Sequence, residues 1–381
     1  MKSAQTVHLM KPRAFGPDLI RATAILLVLW SHTFPGGTLF PALGVARIFL
    51  GRVGVEIFFL LSGYLIGDIL QNELFAGRWN QVTGMLVFWK RRWFRTLPNY
   101  YLFLGLNLLL FHFVAGHWPT AGRQYFWFGE ALWWPHPGFF VVAWTLAIEE
   151  WFYLLFPLLL FVIFKLIRRA QATLLLAMLI FVGLPVALRC FIQPAIGWDP
   201  TEGSTLPNLD AIVYGVALAY IKFNLPKAWK WLVKIWFVGM MAMIGILFLF
   251  CSHFVAAGFE TTASLYYRAC GSILVSATLL LMFPKVAETN PPANWTWLGL
   301  AIRKISLWSY SIYLSHFTIR WLVNLGFEHC GVTPVFQHTL APVLIWLFSI
   351  TVSAFLYHYF ERPVMDLREQ PCRGLCQRLP R

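Results

Sequence analysis

The stretch Asp18-Leu19-Ile20-Arg21-Ala22-Thr23-Ala24-Ile25-Leu26-Leu27-Val28-Leu29-Trp30-Ser31-His32-Thr33-Phe34 decides the fold class. It approaches the ~20 mostly apolar residues that a helix needs to cross a bilayer. Yet it carries Arg21 and His32, which hydrocarbon tolerates only when they face a cavity or a partner. A cleaved export signal is the other reading of an early apolar run. The stretch has no small-residue cleavage site, and its two basic side chains do not suit a signal core.

Working outward, nine more runs of this kind follow, near 53–70, 98–115, 139–164, 172–189, 207–222, 232–251, 266–284, 305–325 and 339–360. The prediction is an all-α polytopic membrane protein with about ten spans around a polar central chamber. Composition agrees: 59% of the 381 residues are apolar, and only 12% are charged. A soluble domain carries about 25% charged residues, so this chain lacks the polar surface to coat a globule in water. Trp118, Trp127, Trp133, Trp134, Trp295 and Trp297 sit near run ends, where an indole is apolar on its face and polar at its N–H. The longest connections, 116–138 and 72–97, leave no room for a separate soluble unit. The chain reads as one membrane domain over 1–381, with its motifs in 18–366 and a basic tail at 367–381.

A net charge of +14 can signal nucleic acid, but its placement points elsewhere. With the N-terminus inside, internal segments hold 24 Lys and Arg and external ones 5. That bias predicts cytoplasmic termini, makes the lipid bilayer the partner and removes the need for nucleic acid. The six cysteines are scattered, and the Cys372/Cys376 pair has no nearby His or Cys set to complete a metal site, so no metal is expected. A Cys190–Cys330 disulfide is left open.

Within the predicted spans lie Arg21, His32, Glu56, Glu149, Glu150, Asp210, His316 and Arg320. Such a set suggests a polar chamber without deciding between transport and catalysis. Eleven residues separate Arg21 from His32; at ~100° per residue they return within about 20° of three full turns, ~16 Å apart along the axis. A cationic anchor below an imidazole base suits a long anionic donor entering from the cytoplasm. The structural alternative is a snorkelling Arg with a hydrogen-bonded core His. Arg91, Arg92 and Arg95, interleaved with aromatics, share a helix face that fits phosphate or, equally, anionic lipid headgroups. Glu149 and Tyr153 pair at i, i+4, where a carboxylate can orient a hydroxyl or the imidazole and a phenol can donate. Glu150 points about 100° away and reads as structural.

These stretches together resemble the acyltransferase-3 family of integral membrane O-acyltransferases. Arg21 and His32 match its R-x10-H signature. Gly54-Val55-Glu56-Ile57-Phe58-Phe59 with Ser62-Gly63-Tyr64 matches its second span. Arg92, Arg95, Pro98 and Tyr100 follow its basic pattern, and Trp144, Leu146, Glu149, Phe152, Tyr153 and Pro157 its fourth-span motif. Asn208-Leu209-Asp210, the run Ser309 to His316, and Phe360-Glu361-Arg362-Pro363 continue the likeness in the family's order. Asn208 stands where an Arg is common and Ser315 where a Trp is common. The resemblance implies a bare ten-helix module in a bacterial inner membrane, without the fused extracytoplasmic domain some members carry. It implies transfer of an acyl group, expected to be acetyl, from acetyl-CoA or another acyl-CoA to a hydroxyl of a carbohydrate or lipid-linked glycan. Catalysis is expected from His32, Glu149 and Tyr153, donor binding from Arg21, Arg91, Arg92 and Arg95, and acceptor contacts from Glu56, Ser62, Asp210, Tyr313 and His316. The rival reading is a secondary transporter using the same ionisable chamber, although no internal repeat supports it.

Overall fold

The computed structural model describes residues 14–34, 41–77, 82–132, 138–192, 204–258, 271–291 and 296–367. The basic tail, Cys270, Cys372, Cys376, Trp133, Trp134 and Trp295 lie outside these residues. Among the described residues there are helices and no strands. They are α1 (Phe15–Thr33), α2 (Pro41–Phe75), α3 (Val82–Ala115), α4 (Ala143–Ile167), α5 (Ala170–Ala187), α6 (Asp210–Asn224), α7 (Pro226–Lys234), α8 (Trp236–Ala257), α9 (Gly271–Ala287), α10 (Thr296–His329), α11 (Pro334–Leu356) and α12 (Arg362–Leu367). The ten expected runs overlap these helices, with 232–251 straddling α7 and α8 and 266–284 described only from residue 271. Six helical stretches, namely those of α2, α3, α4, α5, α8 and α11, are long and apolar enough to cross a membrane. Helices α1 and α10 miss that measure because they are polar inside: α1 buries Asp18 and Ser31, and α10 buries Ser306, Ser309, Ser311, Ser315 and His316.

Helix α1 packs between α2 and α10, α10 packs on α11, and α6 lies along α2. The α2–α6 contact is set by small residues. Gly63 and Gly67, one turn apart, face Gly215 and Ala219, also one turn apart. A Cβ on Gly63 would stand 1.9 Å from the Ile212 carbonyl oxygen, and one on Gly215 would stand 2.1 Å from that of Leu60. In lipid, where apolar surface gains little by association, such backbone approach is a main source of helix–helix attraction. The short α7, which the sequence reading took for an internal loop, buries Trp229 and Leu232 and exposes Lys227, Lys230 and Lys234. Three or four residues separate the members of each set, the spacing of a surface helix with one apolar stripe.

Between α3 and α4, a loop folds back onto the bundle. The Tyr100 hydroxyl donates to the Tyr125 carbonyl (2.8 Å) and the Trp151 indole to that of Phe128 (3.0 Å). Glu130 is buried in this loop, and neither carboxylate oxygen has a hydrogen bond among the described residues. Burial pushes its carboxyl up to about 7.

Two predictions follow from this packing. Gly215→Ala should destabilise the bundle by roughly 1–3 kcal/mol or more through overpacking, seen as a lower unfolding temperature in detergent; an unchanged temperature would mean that α2 and α6 do not meet as described. Glu130→Gln should act through pH. The folded chain holds the Glu130 proton more tightly than the unfolded chain, so stability falls as pH rises from the ordinary carboxyl range to about 7 and is flat beyond. The variant should therefore be more stable than the parent at pH 8, on the order of 2 kcal/mol, and nearly equal to it at pH 4.5. A gain of the same size at both values would refute the assignment.

Candidate functional site

Two cavities lie along α1, one at each end of the Arg21–His32 face. The first holds about 90 Å³ and is lined by Arg21, Arg92, Arg95, Ser62, Glu149 and Tyr313, with Val55, Phe58 and Phe59 as its apolar wall. The Ser62 hydroxyl donates to Glu149 Oε1 at 2.7 Å, so that carboxylate is aimed across the cavity from α4 to α2. Arg92 is held from below, its guanidinium 4.2 Å over the Tyr153 ring. The Trp89 indole donates to the Tyr153 carbonyl (2.9 Å) and Thr96 to Glu150 Oε1 (2.7 Å), which locks the arginine-bearing turn of α3 against α4. Glu361, near the end of the helical stretch that follows α11, accepts from Ser311 at 2.8 Å and lies within electrostatic reach of Arg95 and Arg21. Three guanidiniums line this cavity with Glu149 on its wall and with Glu150 and Glu361 within electrostatic reach behind them, and their forked N–H donors can hold an anionic group.

The second cavity holds about 310 Å³ and is lined by His32, Thr33, Arg47, Arg320, Asn324 and His338. His32 on its wall is backed by a second, buried imidazole, that of His316. His32 Nδ1 lies 3.0 Å from His316 Nε2, with the rings stacked at 5.2 Å. On the far side, His316 Nδ1 lies 2.8 Å from the Tyr313 carbonyl oxygen and 3.1 Å from that of Ile312. A carbonyl can only accept, so with both rings neutral His316 carries its proton on Nδ1. Its Nε2 then accepts from His32 Nδ1–H, and His32 Nε2 is left with a lone pair. Tyr313 stands between the cavities. It lines the first, its ring is 5.9 Å from that of His316, and its hydroxyl is hydrogen-bonded to Thr145 at 2.6 Å.

Residues 15–358 match the acyltransferase domain of the acyltransferase-3 family, and the chain belongs to that family. It is 26% identical over 383 residues to the peptidoglycan O-acetyltransferase OatA of Listeria monocytogenes, covering 91% of this chain and 55% of that protein. To the putative peptidoglycan O-acetyltransferase YrhL of Bacillus subtilis it is 25% identical over 399 residues, covering 96% and 56%. To the O-acetyltransferase OatA of Staphylococcus aureus it is 26% identical over 381 residues, covering 92% and 57%. The chain thus spans little more than half the length of these relatives. No solved structure matches it.

The structure brings together Arg21, Arg92, Arg95, Ser62, Glu149 and Tyr313, which the sequence divides among donor, catalytic and acceptor roles, and sets His316 against His32. Four expected residues fall elsewhere. Arg91 is exposed and does not line the cavity, because consecutive helix positions point about 100° apart and Arg92 takes the inward one. Tyr153 is buried beneath Arg92 rather than on the cavity wall. Glu56 is paired with Arg52 at 3.3 Å and accepts from Ser276 at 3.1 Å. Asp210 is gripped by Arg189 through both carboxylate oxygens, at 2.9 and 2.6 Å. Arg47 and Arg320 were missed as site residues, although Arg320 stands one turn beyond His316 and shares its helix face. Cys190 and Cys330 are free thiols, so the disulfide left open in the sequence is absent. Asp210→Asn tests the reassignment: breaking a buried bidentate pair should cost roughly 3–5 kcal/mol of stability and leave acceptor affinity in the surviving folded fraction unchanged. A stable variant with lost acceptor binding would return Asp210 to the site.

Proposed function

We propose that the chain is a membrane O-acyltransferase that moves an acetyl group from acetyl-CoA to a hydroxyl of a cell-wall glycan. One observation carries this reading: an imidazole whose contact with a second imidazole leaves its Nε2 lone pair available lines a polar cavity at one end of the α1 face, and an arginine-lined cavity lies at the other end. Family membership and the names of the three relatives support acyl transfer rather than solute transport. Ten bilayer crossings around the two cavities, with cytoplasmic termini, belong to the same reading and rest on the 24-to-5 distribution of cations.

In this mechanism Arg21, Arg92 and Arg95 hold the donor's phosphates, and the thioester reaches past Phe58 toward Tyr313. The acceptor hydroxyl enters from the His32 side. His32 Nε2 takes its proton as the oxygen attacks the thioester carbonyl. The tetrahedral intermediate collapses with loss of the C–S bond, and the departing thiolate recovers the proton from His32. A C–O bond replaces a C–S bond, with no change of oxidation state. Glu149 and Ser62 orient the reacting end of the donor. Tyr313 rather than Tyr153 is the hydroxyl at the junction and the better placed oxyanion donor.

Membranes carrying the chain, incubated with labelled acetyl-CoA, should esterify glycan. His32→Ala should lower the rate by ~100-fold or more. Arg92→Ala should raise KM for acetyl-CoA by roughly tenfold with a smaller change in kcat. Normal transfer by well-folded His32→Ala protein would remove the base from this scheme.

A further inference from the structure

Arg47 comes from α2 and Arg320 from α10, and both face the cavity that contains His32. One Nη of Arg47 donates to the Phe34 carbonyl at 2.6 Å, while its Nε has no hydrogen bond among the described residues. Arg320 places its guanidinium 5.7 Å from the Phe317 ring. Among the described residues neither has a carboxylate within ion-pair distance, and no Asp or Glu lines the cavity. The two guanidiniums act on each other electrostatically, as like charges. The remaining polar lining, Asn324, Gln337 and His338, is uncharged or basic.

This arrangement contrasts with that of Arg189 and Arg52. Arg189 is neutralised by Asp210 and Arg52 by Glu56. Two like charges held together at a half-buried position repel each other, a cost that one bridging anion removes. Arginine forks are suited to this, since each offers paired N–H donors to carboxylate or phosphate oxygens.

We propose that the His32 cavity takes an acceptor bearing an anionic group, a carboxylate or a phosphate, which bridges Arg47 and Arg320 and so fixes which hydroxyl lies at His32. This rests on the acyl-transfer reading for the identity of the ligand as acceptor, although the anion site itself can be tested without turnover.

The probes are methyl β-glucuronide and methyl β-glucoside, which differ in a carboxylate. Binding to the full chain in phosphatidylcholine nanodiscs is measured by saturation-transfer NMR or equilibrium dialysis. The charged sugar should bind at least tenfold more tightly. Arg47→Gln and Arg320→Gln should each erase most of that preference, and the Lys variants should retain part of it. Binding of labelled acetyl-CoA, read in parallel, should stay within twofold of the parent and reports that the variants are folded. Equal binding of the two sugars, binding of neither, or a preference that survives both Gln variants would overturn the proposal. So would loss of charged-sugar binding when phosphatidylglycerol replaces phosphatidylcholine, which would assign the pair to a lipid headgroup. Acetyl transfer is assayed separately: a charge preference without any acetyl-CoA-dependent esterification would leave the anion site standing and defeat the acyl-transfer reading. Esterification without a charge preference would do the reverse.

Discussion

The site depends on the hydrogen bonds that fix His316. Its Nδ1 is tied to carbonyls of its own helix, three and four residues back, so the ring cannot turn and its other nitrogen can only accept. That single restriction orients His32 through the 3.0 Å contact and leaves the other nitrogen of His32 with its lone pair. The restriction would mean little if α1 could slide. Contacts on both sides hold it: the Trp346 indole donates to Thr33 at 2.8 Å, and Ser306 donates to Asp18 at 2.7 Å from the other end of the helix. On the α2 side, a Cβ at Gly54 would come within 2.8 Å of the Ala24 carbonyl oxygen, a spacing only glycine permits. Close backbone packing and the fixed tautomer are thus one device.

The carboxylates show how the bundle separates structure from chemistry. Glu150, Glu56, Asp210, Asp18 and Glu361 are buried, and each is met by a hydroxyl or a guanidinium on another helical stretch. A polar group in hydrocarbon costs several kcal/mol unless it is satisfied in this way, and these pairings tie helices together at fixed heights. Glu149 differs. Its Ser62 contact leaves it on a cavity wall that also carries three arginines. Burial against a partner on another helix sets these five carboxylates apart from Glu149, which lines a cavity.

That distinction explains what the sequence could and could not disclose. The helical character, the positions of the apolar runs, and the shared face of Arg21 and His32 follow from hydropathy and from 3.6-residue periodicity, both local properties. The inward turn of Arg92 and outward turn of Arg91 follow less surely, since their face is set by where α4 lies. Glu56 and Asp210 were misassigned because their partners are not all nearby in the chain: Ser276 is 220 residues from Glu56, and Arg189 reaches Asp210 from the end of α5. The His32–His316 contact spans 284 residues and cannot be read from spacing. Arg47 and Arg320 went unrecognised for the opposite reason: what distinguishes them is that, among the described residues, no carboxylate lies within ion-pair distance, which only a three-dimensional arrangement reveals.

The two departures from the family pattern have separate physical consequences. At 315, where a Trp is common, Ser315 lies 3.2 Å from Ser353 of α11, so the small side chain lets α10 and α11 close on each other away from the cavities. At 208, where an Arg is common, a cation would stand two residues from Asp210. Asn208 occupies that place, donates to the Ser204 carbonyl at 2.7 Å and accepts from Arg52 at 3.3 Å. The counter-charge that Asp210 requires arrives instead from Arg189, which also donates to the Pro207 carbonyl. One guanidinium therefore neutralises the buried carboxylate and pins the turn that leads into α6. Since α6 carries Gly215 against α2, and α2 carries Ser62 against Glu149, moving the cation from 208 to 189 preserves the frame around the first cavity. Both substitutions can thus be accommodated by packing and charge relocation, with the reacting groups left in place.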